Sequence, residues 1–112
     1  MNITILTGNL GTDPESFFST SGAQIVSFPM AFRSTKDKTD NWVKITCFNK
    51  TAELAEKYLH KGARVSIMGM LDQDKWESNG ESRSALKLIA NSIEFIKTDG
   101  RGFENDNDDI PI

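Results

Sequence analysis

Residues 40–62 read DNWVKITCFNKTAELAEKYLHKG, and within them a strand pattern passes straight into a helix pattern. Successive side chains of a strand point to opposite faces. Val43, Ile45 and Cys47 therefore share one face, all apolar and suited to a core. Trp42, Lys44, Thr46 and Phe48 share the other. An indole, a cation, a hydroxyl and a phenyl ring on one face are poor core material. After residue 50 the period changes, and Leu54, Ala55, Tyr58 and Leu59 recur at helical spacing as a single apolar stripe. Thr51 is placed to cap that helix, and Glu53 sets a negative charge in its first turn, where the helix dipole favours it. Lys61-Gly62 supplies a stop.

Strand signals dominate on either side. NITILTGNL (residues 2–10) alternates and then meets the turn GTDP. FFSTSGAQIVSFPMAFRS (17–34) reads as a short strand, a turn at Ser21-Gly22 and a longer strand through Arg33. Pro29 lacks a donor and so belongs at an edge or a bulge. ARVSIMGML (63–71) is a fourth main strand, and SALKLIANSIEFI (84–96) a fifth, with a polar break at ESNGES (77–82) that holds Asn79-Gly80. Five antiparallel main strands with one short helix between the third and fourth predict an all-β Greek-key barrel, the OB-fold. Residues 1–98 form that domain, and no periodicity survives in 99–112, which reads as a disordered acidic tail.

The chain has 112 residues and 38% hydrophobic content, enough for one core. No apolar run approaches the roughly 18–20 residues that span a bilayer. No signal peptide is legible at the start, and the lone Cys47 fits a reducing interior, so a cytoplasmic location is expected. The formal net charge of −3, taken as a whole, argues against a polyanion as partner. Its distribution argues the other way, because residues 99–112 hold five acids against Arg101 alone. The rest of the chain is slightly basic.

The outward face of the third main strand suits unpaired bases, since rings stack on bases while lysines meet phosphates. Burial by a partner subunit or a neighbouring hairpin is the competing reading for Trp42 and Phe48. Trp76 lies in the hydrophilic stretch DQDKWESNGESR with Lys75 beside it, and this favours exposure. Arg33, Lys36, Lys38, Lys44, Lys50, Arg83 and Lys87 flank these rings and complete a candidate backbone-tracking groove. No catalytic constellation, metal site or cofactor is expected. His60 is the only histidine, and Asp72 and Asp74 have no third ligand nearby in sequence.

With these residues placed, the sequence resembles the bacterial single-stranded DNA-binding proteins. NITILTGNLGTDPE is similar to the family's opening strand and turn, and DNWVKITCFNKTAELAEKYLHKG to its Trp-bearing strand and helix. DKWESNGE resembles its Lys-Trp hairpin, so the likeness covers about residues 1–97. The resemblance implies a homotetramer of OB-folds that wraps single-stranded DNA without sequence preference, with Trp42, Phe48 and Trp76 stacking on bases. It also implies that Asn107, Asp108, Asp109, Ile110, Pro111 and Ile112 dock replication, recombination and repair proteins. Members often carry another aromatic where RSTKDK has Thr35 and Lys36, and usually end in Phe where this chain has Ile112. The linker TDGRGFEND is short. A dimeric primosome-type accessory protein is the nearest alternative, and a purely structural module, with no affinity for DNA, is a third.

Overall fold

The computed structural model describes residues 1–34, 36 and 40–96. Lys38 and the tail residues 107–112 lie outside them. The elements are β1 (Thr4–Leu10), β2 (Glu15–Phe18), β3 (Gln24–Arg33), β4 (Asp40–Phe48), α1 (Asn49–Tyr58), β5 (Arg64–Ser78) and β6 (Glu81–Ile96). They form a six-stranded sheet ordered β1-β5-β6-β4-β3-β2, and a further β1–β3 pairing closes it. Five long strands thus make the barrel, and the short β2 hangs on β3, as the OB-fold expectation required. The pairing of β4 with β6 departs from the all-antiparallel expectation. Running from Lys44↔Lys87 to Thr46↔Ile89, it is parallel, because α1 and β5 intervene before the chain returns.

The inward faces obey the two-residue period. Val26, Phe28 and Met30 of β3, Ile45 and Cys47 of β4, Val65 and Ile67 of β5 and Leu88 of β6 are all buried. Helix α1 plugs this barrel with Ala52, Ala55 and Tyr58, whose ring meets Phe95 edge-on at 5.8 Å between centroids. The helix begins earlier than Thr51. Phe48 is its N-cap, no side chain caps it, and Glu53 falls outside the first turn. The chain leaves β4 so sharply that Asn49 takes φ 52°, a left-handed conformation that asparagine tolerates better than most residues.

Pro29 sits where β3 changes neighbours. β2 ends its pairing at Glu15↔Ser27 and β1 takes over at Leu10↔Met30. The Pro29 carbonyl accepts from the Gly11 N–H at 2.8 Å, so its donorless nitrogen faces the same seam and not the β4 ladder. The polar break expected at residues 77–82 is strand except for its two-residue turn. β5 and β6 stay in register out to Ser78↔Glu81, and Asn79 and Gly80, at φ 53° and 79°, form the tight turn. Beyond the barrel this hairpin has two exposed faces, so its sequence shows no apolar alternation.

Burial pushes the Cys47 thiol up from 9.0 to about 12. The stability linked to this group is intact below pH 9.0 and is lost as pH rises from 9.0 towards 12. Native protein at pH 8 is accordingly expected to resist thiol-specific reagents, and unfolded protein to react at once. Rapid labelling of the native state would contradict the buried position.

Candidate nucleic-acid interface

The residues of β3 that alternate with its core set, from Ile25 to Arg33, face outward with Trp42, Lys44, Thr46 and Phe48 of β4. Direct register ties them together as Ile25↔Phe48, Ser27↔Thr46, Pro29↔Lys44 and Ala31↔Trp42. The parallel pairing carries the same face onto Lys87 and Ile89, and β5 extends it through Met70, Asp72 and Asp74 to Trp76. Trp42, Trp76 and Phe48 remain 58%, 47% and 38% exposed. The three rings therefore share one outer surface, reached from two different strands.

Trp42 is held from below. A Cβ on Gly11 would land on the six-membered ring of Trp42, with Pro29 next nearest. The sequence shows GNLG only as a turn, since nothing local says which side chain lies over its glycine. Gly11→Val is expected to displace the indole and weaken oligo-dT binding by up to the ~1–3 kcal/mol of a lost stacking ring. Folding should change little, because the atoms met are the far end of one exposed side chain. Tryptophan emission and an oligo-dT titration test this; unchanged emission and affinity would refute it.

The cations are less uniform than the rings. Lys44 is exposed and lines a recess of about 320 Å³ with Thr12, Glu15, Ser27 and Pro29. Arg33 ends β3 at another recess of about 360 Å³, which Arg64 also lines; Arg64 donates to Asn9 Oδ1 at 2.9 Å. Arg64 is a cation of this surface that sequence reading did not single out. Lys36 is exposed beside Ser34, and Lys50 is exposed in the first turn of α1. Lys87 pairs with Asp74 at 2.9 Å, and Arg83 with Glu81 at 3.4 Å. The exposed Arg83 pair is worth only about 0–1 kcal/mol, so Arg83 can exchange its carboxylate for a phosphate, whereas the Lys87 side chain is largely covered at 20% exposure. Lys75 faces away from Trp76, since it pairs with Ser84 while Trp76 pairs with Arg83.

Thr46 departs from the expected exposed platform. It is only 6% accessible, and its hydroxyl has no hydrogen-bond partner. The outer face is thus closed at its centre and open at its rings. Among the described residues, no group of three His, Cys, Asp or Glu side chains could hold a metal ion, and no helix is long and apolar enough to cross a membrane.

A family model described as the single-strand binding protein family matches residues 1–96. A single-stranded DNA-binding protein of Fusobacterium nucleatum subsp. nucleatum is 35% identical over 102 residues, covering 85% of this chain and 66% of that protein. One of Treponema pallidum is 28% identical over 102 residues, covering 86% of this chain and 58% of that protein. The match thus spans less than two thirds of either relative's length. On a family match that spans all the described residues, the chain belongs to the single-strand binding protein family.

Proposed function

We propose that this protein binds single-stranded DNA without sequence preference, as a homotetramer, and recruits replication, recombination and repair proteins through its acidic C-terminal tip. The observation that carries the DNA reading is the shared outer face of Trp42, Phe48 and Trp76, three exposed rings on a barrel of this family. Rings accept any base, because every base has a π-face, and the flanking cations meet the backbone. Titrating tryptophan fluorescence with oligo-dT at several salt concentrations tests it. Strong quenching and an affinity that falls as salt rises are expected. Unquenched fluorescence would refute stacking.

Self-association is supported by β1. This strand pairs with β5 along its length but with β3 only at Asn9 and Leu10, so the rest of its second edge has no partner among the described residues. Ile3, Ile5 and Met68 are exposed beside it. An open edge flanked by apolar side chains is a template for another strand. Ile5→Asp is expected to lower the native mass towards that of a single 12.5 kDa chain, whereas Lys61→Asp, on the turn after α1, should not. Equal masses for wild type and Ile5→Asp would refute this interface.

The tail reading rests on sequence. Asp108 and Asp109 steer towards basic clefts, and Ile110-Pro111-Ile112 fills an apolar pocket that a merely solubilising tail would not need. Deleting residues 107–112 is expected to abolish partner capture while leaving oligo-dT affinity equal or slightly higher, most visibly at low salt. Ile112→Asp keeps the acids and removes the anchor, so capture should still collapse. Loss of DNA binding with capture retained would reverse the roles of body and tail.

A further inference from the structure

The edge strand β2 carries two exposed rings besides the three of the candidate interface. Its Phe17 pairs with Ile25, and Ile25 pairs with Phe48. Paired residues of a sheet point to the same side, so Phe17, Ile25 and Phe48 form one apolar row across three strands. Phe17 is 51% exposed, so about half of the residue lies open to solvent. Phe18 belongs to the other side. It pairs with Gln24, whose side-chain amide donates to Glu56 of α1 at 3.2 Å, which places that side towards the helix.

We infer that Phe17 is a further base-stacking residue that extends the DNA path beyond Phe48 and over the β2 edge. The inference rests on the proposed DNA binding. Neighbouring strands lie about 4.8 Å apart, so Phe17 stands roughly 10 Å from Phe48. That distance falls within the span of the ~4–16 nucleotides that one OB-fold engages. The row continues the candidate interface without a break, and continuity selects DNA as its occupant. The local charge selects the part of the nucleotide. Glu15 shares this face of β2, and it repels phosphate while leaving a ring free to stack. The contact at Phe17 is therefore to a base and not to the backbone.

The test compares Phe17→Ala, Phe18→Ala and Phe17→Leu by oligo-dT titration across a salt series, with native mass and thermal melting alongside. Phe17→Ala is expected to weaken binding by about five- to a hundredfold, as the loss of one stacked base does, with the slope of log affinity against log salt unchanged. Phe18→Ala removes the same apolar area from the same strand and should bind as wild type does. Phe17→Leu keeps apolar bulk without the ring and should lose affinity as the alanine variant does. A wild type that fails to quench would refute DNA binding itself. Normal wild-type quenching with Phe17→Ala equal to Phe18→Ala would overturn only the role of Phe17, as would full affinity in Phe17→Leu. A lowered native mass in Phe17→Ala at unchanged affinity would assign the row to a second copy of the chain and overturn it too.

Discussion

Trp42→Ala and Trp76→Ala are each expected to weaken oligo-dT binding by about 1–3 kcal/mol, a range drawn from proteins that include this family. Both side chains stand about half exposed in the absence of DNA, so their truncation removes stacking area without opening a core cavity. Each variant should melt close to the wild type. Phe48→Ala should behave differently. Its ring is the least exposed of the three, and residue 48 is also the point at which β4 hands over to α1. Part of its effect will therefore appear as lost stability and less as lost affinity. Salt separates the rings from the cations. Ring variants should shift the affinity at every salt concentration by a similar factor, whereas Lys44→Ala should flatten the salt slope by about one phosphate contact. If both tryptophan variants bind as tightly as wild type, the outer face is not the DNA site.

Gly69→Ala is expected to be among the most destabilising single-methyl changes in the barrel. Gly69 lies at the irregularity where the β5–β6 register slips, between Met68↔Ser92 and Gly69↔Ala90. A Cβ there would land on the Ile89 carbonyl oxygen, with the Ala90 Cα close behind. No rotamer relieves a clash with backbone, so the strands must part. The usual cost of overpacking, about 1–3 kcal/mol, is a lower bound here. Against a typical stability of about 5–15 kcal/mol, this is a large fraction. Gly80→Ala is the instructive contrast. Nothing lies within 4 Å of its would-be Cβ, but its φ of 79° costs an alanine only about 1 kcal/mol. Denaturant midpoints for the two variants check the order. A Gly69→Ala midpoint at or above that of Gly80→Ala would show that the strands can separate at little cost.

Much of this fold was already present in local pattern. The two-residue period of residues 41–48 assigned Ile45 and Cys47 to the core and Trp42 and Phe48 to the outside. The 3.6-residue period of 51–59 announced the barrel's plug, and Asn79-Gly80 announced its hairpin turn. These features were legible because side-chain direction and turn conformation depend on a few adjacent residues. The motifs that carry the family likeness are local in the same way.

Tertiary structure decided whatever depends on neighbours distant in sequence. The polar residues beside Asn79-Gly80 alone give no reason to be strand; the pairs Glu77↔Ser82 and Ser78↔Glu81 make them one. The start of α1 was set by where β4 ends against β3 and β6, overriding the better capping residue Thr51. Thr46 follows the period of its strand yet is buried, because outward direction and exposure are separate properties once a sheet curves into a barrel. Gly11 beneath Trp42, and Phe17 in line with Phe48, are juxtapositions across 31 residues each. Single-residue chemistry supplies the rings and the cations, but strand register, fixed only when the barrel closes, determines which of them share a surface.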